Sequence, residues 1–233
     1  MAKRLRTLGV ILVVMGLVFV AGAGIAYVKV QDGYKALAAF SEAQNVTLSY
    51  DDDGQLIDRG TTEGAEAIMT LLTEDWGFTP TMSDLNPDDP LVNTATEYMF
   101  QMATIGYHVL HGTQTVVLAE DAEYNGEIFP AGTYEHEVDG KYWTDFDRRH
   151  PIEGPARSQA WSGTVHGLFG ELGTGTVTHS TLQVGLGIAA ILGGIGLTNL
   201  LIGAGLIYAM KDERWSLKDS LEVTAAAEDK VTV

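Results

Sequence analysis

A chain of 233 residues carrying 31 Asp and Glu against 14 Lys and Arg, formal charge −17, presents a surface that repels phosphate backbones and excludes nucleic-acid binding as its function. It has no cysteine, which rules out disulfides, Cys-ligated zinc and thiol catalysis. Two apolar stretches near its ends leave enough chain between them for one domain of ordinary size.

Residues 1–7 hold Lys3, Arg4 and Arg6, and the first apolar run follows over 8–28. That run is long enough to cross the roughly 30 Å hydrocarbon core of a bilayer as a helix. Ala21-Gly22-Ala23 also fits an A-x-A cleavage signal, so a removed signal peptide is the alternative. Continuation of the apolar run through Val28 exceeds the usual signal core of about 7–15 residues and favours a retained anchor.

Residues 29–181 read as an acidic α+β domain. Val30 to Ala43 extends the first span as helix. Val46 to Tyr50 alternates like a strand, Asp51-Asp52-Asp53-Gly54 reads as a turn, and Gln55-Leu56-Ile57 as a return strand. A short amphipathic helix is predicted over Thr62 to Glu74. An internal echo follows. Ser83-Asp84-Leu85 with Pro90, Leu91 and Ala95 aligns without a gap on Thr144-Asp145-Phe146 with Pro151, Ile152 and Ala156. Each copy reads as a turn and then a helix with proline in its first turn. After Pro90, the stripe Leu91, Ala95, Tyr98, Met102, Ile105 and Val109 marks the apolar face of a helix that Gly112 ends. Thr115 to Leu118, a tight turn at Tyr124 to Glu127, and Ile128-Phe129 form a small β unit. Gly132 to Val138 with Asp139-Gly140 suggests a second hairpin. A last helix over Pro155 to Leu172 leads through Gly173-Thr174-Gly175 into the second span at 182–210. The tail, 211–233, has mixed charge, little to form a core, and reads as mostly disordered.

Lys211, Arg214 and Lys218 follow the second span, as Lys3, Arg4 and Arg6 precede the first. The positive-inside rule therefore puts both termini in the cytoplasm and the central domain outside, with the two spans as a hairpin anchor. Small residues recur every seven positions: Gly9, Gly16 and Ala23 in the first span, Gly187 with Gly194 and Gly196 with Gly203 in the second. Such a repeat keeps one stripe facing a left-handed partner, and small side chains let helix backbones approach closely in lipid. The lipid bilayer is thus one partner. The abundance of glycine in the second span points also to other membrane proteins or to self-association.

Chemistry is sparse. Glu97, His108 and His111 fall on one polar helical stripe and are the candidate metal ligands, His at i, i+3 being a usable spacing. The rival reading is a plain polar face. Asp51 to Gly54 lacks the closing Glu of a calcium loop, Asn45-Val46-Thr47 is a sequon by pattern only, and His136 reads as structural. No cofactor-binding motif and no catalytic constellation appears.

Met1 to Val30, the stretch Tyr142-Trp143-Thr144-Asp145-Phe146 with Pro151, Ala156 and Arg157, and the glycine-rich second span together resemble a family of small two-span membrane proteins of high-GC Gram-positive bacteria. Many of these carry the name aromatic ring-opening dioxygenase. The resemblance implies the two-span topology. It brings no iron-ligand set onto these residues, and the domain here is larger than the family leads one to expect. The expected function is a non-enzymatic accessory or scaffold subunit of the cell envelope. An extracytoplasmic ligand or cation sensor is the alternative, and an exported metal-dependent enzyme the third.

Overall fold

Both apolar stretches form helices that run well past the length a bilayer requires: α1 spans Ala2–Gln44 and the last helix, α5, spans Gly163–Glu228. The computed structural model describes the backbone of residues 2–228 and the side chains of 3–210. Helix α5 continues through Glu228 where the sequence suggested a mostly disordered tail over 211–233, and residues 229–233 lie outside the described residues. The chain divides into two compact units, Met1–Tyr34 with Leu182–Val233, and Lys35–Thr181. It is an α+β protein: two long apolar helices beside a set of shorter helices and small antiparallel strand pairs.

In the first unit, the most apolar 18-residue windows of the two helices have mean hydropathies of 2.7 and 1.9. Only 11% of each window is buried within the protein. A core helix of a soluble domain would be enclosed; here Val18 and Ile25 are each 67% exposed and Leu201 66%. Both helices are therefore long and apolar enough to cross a membrane.

In the second unit, β1 (Ser49–Tyr50) and β2 (Leu56–Ile57) close the predicted hairpin, with Ser49 opposite Ile57. Asp51 Oδ1 accepts hydrogen bonds from the backbone of Asp53 and Gln55, 3.0 and 2.8 Å, which fixes the turn. Helix α2 (Thr62–Thr70) is capped by Thr61, whose Oγ1 accepts from Gly64 N. It is shorter than predicted because a single π turn, Leu71–Asp75, replaces its last stretch. Leu71 and Leu72 are both buried in that turn.

Helix α3 (Ala95–Leu110) starts from a full capping box, with Thr94 Oγ1 accepting from Glu97 N and the Glu97 carboxylate accepting from Thr94 N. No residue from Ala95 to Leu110 is exposed. The one-sided stripe read from the sequence is thus replaced by a helix enclosed all round, with Thr96, Phe100, Ala103, Gly106 and Leu110 buried beside Tyr98. Pro90 lies ahead of α3 rather than in its first turn. The echo does not produce equivalent units either. Its second copy leads to an eight-residue helix, α4 (Glu153–Ala160), in which Pro155, not Pro151, occupies the first turn.

Strand β3 (Thr113–Leu118) pairs antiparallel with β6 (Gly132–Glu137), Val116 opposite Tyr134. Between them β4 (Ala122–Tyr124) and β5 (Glu127–Phe129) form a hairpin. Its turn residues Asn125 and Gly126 sit at φ 51° and 83°, the left-handed pair such a two-residue turn needs. Asp139-Gly140 makes no second hairpin. It turns the chain so that Val138 N and Gly140 N donate to the carbonyls of Gly112 and Leu110.

Two apolar clusters result. Val116, Ile152 and Ala156 join Leu118, Phe129 and Tyr134 where α4 covers β3. Leu71, Leu110, Val138, Phe146, Ala160 and Trp161 form the other, lined by Trp76, Tyr107, Trp143 and Phe169. The predicted continuous helix from Pro155 breaks at Trp161, which turns into this cluster and donates from Nε1 to the Lys141 carbonyl at 3.0 Å. Ser162 then caps α5, its Oγ accepting from Val165 N.

Candidate functional site: the two faces of the glycine-rich helix

The packing of α1 against α5 within their unit follows a strict register. A Cβ built on Gly9 would lie 2.8 Å from the Gly203 carbonyl oxygen; on Gly16 it would lie 2.7 Å from that of Gly196. Further along, a Cβ on Gly185 would lie 2.8 Å from Cγ2 of the Val30 side chain, and the Ala23 Cβ lies 3.7 Å from the position a Gly193 Cβ would take. As positions rise along α1 they fall along α5, so the two helices run antiparallel. Gly9 and Gly16 are buried seven residues apart on α1, with Ala23 half-buried and Val30 buried on the same repeat, and Ala189, Gly196 and Gly203 are buried at seven-residue steps on α5. Where Gly9 faces Gly203 and Gly16 faces Gly196, no side chain larger than a hydrogen atom fits between the backbones, which is the close approach that small residues permit in lipid.

The other pair of predicted packing residues lies elsewhere. Nothing comes within 4 Å of a Cβ on Gly187 or Gly194, and the same is true of Gly205. At 100° per residue these three fall half a turn from Gly196 and Gly203. Thr198 shares their side, one turn from Gly194, and is exposed, its hydroxyl donating to the Gly194 carbonyl at 2.8 Å. Helix α5 therefore has two small-residue faces, and α1 occupies one. The sequence spacing contained both stripes; helical phase alone separates them.

The candidate metal ligands do not converge. Glu97 is 1% exposed and sits at the start of α3, where its Oε2 accepts from Asn93 N and Thr94 N at 2.9 and 2.8 Å. Burial raises its pKa above the ordinary glutamate value against the pull of those hydrogen bonds. His108 lies three turns on and pairs through Nε2 with Asp58 at 3.0 Å. His111 caps the helix end and places Nδ1 2.8 Å from the Tyr107 carbonyl. Among the described residues, no group of three or more His, Asp or Glu is placed to hold a metal ion. Each of the three has a local partner that accounts for its position.

Two arrangements had no signal in the sequence reading. Tyr98 OH lies 2.7 Å from Ser41 Oγ on α1, and a Cβ on Gly175 of α5 would touch the Tyr98 ring at 2.6 Å. One buried ring of α3 thus meets both long helices inside the Lys35–Thr181 unit. The second is the stacking of Arg157 on Trp143, with the guanidinium carbon 3.5 Å from the ring centroid. No family model, curated protein or solved structure matches this chain.

Proposed function

We propose that the protein is a non-enzymatic accessory or scaffold subunit of the cell envelope. Its helices α1 and α5 form a hairpin anchor, both termini are cytoplasmic, and the α+β domain lies outside. The observation that carries this reading is the second small-residue face of α5, formed by Gly187, Gly194, Thr198 and Gly205 and left open by α1. Small-xxx-small spacing, here Gly194 to Thr198, favours helix association in a bilayer. The occupant is a helix of another membrane protein. The basic residues flanking both spans support the orientation, and the resemblance to two-span proteins agrees with it.

Purification of tagged full-length protein from native membranes in mild detergent, with mass spectrometry of what is retained, tests this. A stoichiometric membrane partner is expected with the native chain and is expected to be lost with Gly194→Leu. A lone species, or a partner indifferent to Gly194→Leu, sinks the reading. Orientation is tested separately with Asp52→Cys, because the native chain has no other thiol. Labelling by an impermeant maleimide in intact cells is expected; labelling only after lysis would reverse the topology.

A second reading, a ligand sensor, draws support from Tyr98, where α1, α3 and α5 meet within one unit. A ligand of the domain would then shift the melting temperature and, with it, the Tyr98 contact.

A further inference from the structure

Between residues 35 and 181 the sequence places 24 Asp and Glu against six Lys and Arg, and four of those six, Lys141, Arg148, Arg149 and Arg157, lie within 17 positions. Their surroundings differ. Lys141 Nζ is 2.6 Å from Glu153 Oε1 and lies over the Phe146 ring. Arg149 lends its charge to the Tyr124–Asp147 hydrogen bond. Arg157 takes part in none of the ion pairs found among the described residues. In a domain with four acidic side chains for each basic one, a half-buried arginine without a carboxylate is the exception.

Its geometry sharpens that point. The guanidinium carbon lies over the Trp143 ring, and Nε and Nη1 are sealed from solvent without a hydrogen-bond acceptor. A π face attracts the charge of a guanidinium. It does not satisfy the N–H donors, which point outward in the guanidinium plane. The charge that bears on Arg157 is Arg148, of the same sign; loss of solvent first, and that neighbour second, lower the Arg157 pKa. His166 makes a T-shaped contact with the same Trp143 ring system, 5.0 Å between centroids, and is exposed. An arrangement built only to staple α4 to the 141–146 segment would place a backbone carbonyl or carboxylate in the guanidinium plane. This one leaves Nε and Nη1 without an acceptor and sets a second cation, Arg148, nearby.

We propose that Arg157, held on Trp143 beside Arg148, is the receptor for a small oxyanion, a carboxylate or a phosphoryl group. A planar guanidinium matches either in a bidentate grip, which an ammonium does not. Nη2, the guanidinium nitrogen outside the sealed pair, takes the first ligand oxygen. A side-chain rotation that slides the guanidinium along the Trp143 face then opens an adjacent N–H to the second. Occupancy therefore changes the surroundings of Trp143. This site is built from residues of the Lys35–Thr181 unit and shares none with the small-residue face of α5, so neither proposal depends on the other.

The test uses full-length protein in mild detergent. Tryptophan fluorescence and melting temperature are followed during separate titrations with sodium phosphate and sodium acetate, each against sodium chloride at matched ionic strength, because exposed charges respond to salt alone. A saturable change with one oxyanion, accompanied by a rise in melting temperature, is expected. Phosphate alone names the phosphoryl class and acetate alone the carboxylate class. Arg157→Gln is expected to abolish saturation. Arg157→Lys, which keeps the charge and loses the fork, is expected to weaken binding by about tenfold or more. Should Arg157→Gln fail to fold, Arg148→Gln carries the test: this exposed residue is expected to weaken binding several-fold without unfolding the chain. The proposal is overturned if neither oxyanion saturates, if chloride reproduces the response, or if Arg157→Gln or Arg148→Gln binds as the native chain does.

Discussion

In the unit of Met1–Tyr34 and Leu182–Val233, the paired glycines of α1 and α5 bring backbone against backbone; within Lys35–Thr181 the clusters are built from large side chains. Gly9 faces the Gly203 carbonyl and Gly16 the Gly196 carbonyl. Gly106, by contrast, is a socket for two rings: a Cβ there would sit 2.9 Å from the Trp76 ring and 3.4 Å from Phe169. The contrast follows from the surroundings each unit is built for. Apolar side chains gain little by leaving lipid for another apolar surface, so association there rests on close packing. An acidic domain in water gains from every apolar side chain it encloses. Glycine is the contact itself in one unit and the space for a contact in the other.

The sharpest way to break the first arrangement is Gly196→Leu. Its Cβ would meet the Gly16 carbonyl at 2.9 Å and Val20 N at 2.9 Å, and backbone atoms cannot swing aside. Overpacking of about 3 kcal/mol or more is expected, at the upper end of the usual range. The α1–α5 pair should melt at lower temperature in detergent while the near-ultraviolet signal of the domain persists. Simultaneous loss of both signals would show that the units are not separable. Gly106→Ala probes the second arrangement. Trp76 is held by its Nε1–H donating to Tyr142 OH at 2.9 Å, so the ring can yield only in part. A loss of about 1–3 kcal/mol is expected in denaturant unfolding of the domain. Tyr98→Phe is milder. It removes the bond to Ser41, which keeps its bond to the Leu37 carbonyl at 3.0 Å, so a loss of about 1 kcal/mol is expected.

How far the sequence revealed each unit follows the same division. The two long apolar helices, the extension of the first over Val30 to Ala43 and the seven-residue spacing were legible because long apolar runs and a fixed helical period are written directly in the order of residues. Which glycine stripe faces α1 was not. Gly187 with Gly194 and Gly196 with Gly203 are equivalent as spacings, and only the phase of α1 selects the second pair. In the domain, the hairpin at Asp51 to Gly54 and the turn at Asn125-Gly126 were legible from local turn chemistry. The partner of β6 was not, since pairing with β3 spans the whole β4–β5 hairpin. The Glu97, His108 and His111 stripe left two readings open, ligands or a plain polar face, because an enclosed helix also carries polar residues, each satisfied by a local partner. The Trp143–Arg157 stack joins residues 14 positions apart through a fold that no periodicity encodes.

The smallest expected effect concerns Glu97, where burial and capping act on one carboxylate. Its pKa is raised from the ordinary value of 4.5, chiefly by burial, with backbone bonds from Asn93 and Thr94 opposing and Asp89 adding to the rise. A folded-state pKa above the unfolded one means that the folded state binds the proton more tightly. The contribution of Glu97 to stability is therefore complete in acid below the ordinary value and is lost as pH climbs through the raised value. Glu97→Gln keeps an oxygen that can accept from Asn93 N and Thr94 N but has no charge to bury. The variant is expected to gain on the native chain as pH rises above about 4.5, and to show no gain in more acid solution, where the native carboxyl is itself neutral. Paired thermal melts across that pH range read the difference directly. A gap that narrows with rising pH would mean that the charged form is the one the capping box favours, and that hydrogen bonding outweighs burial at the start of α3.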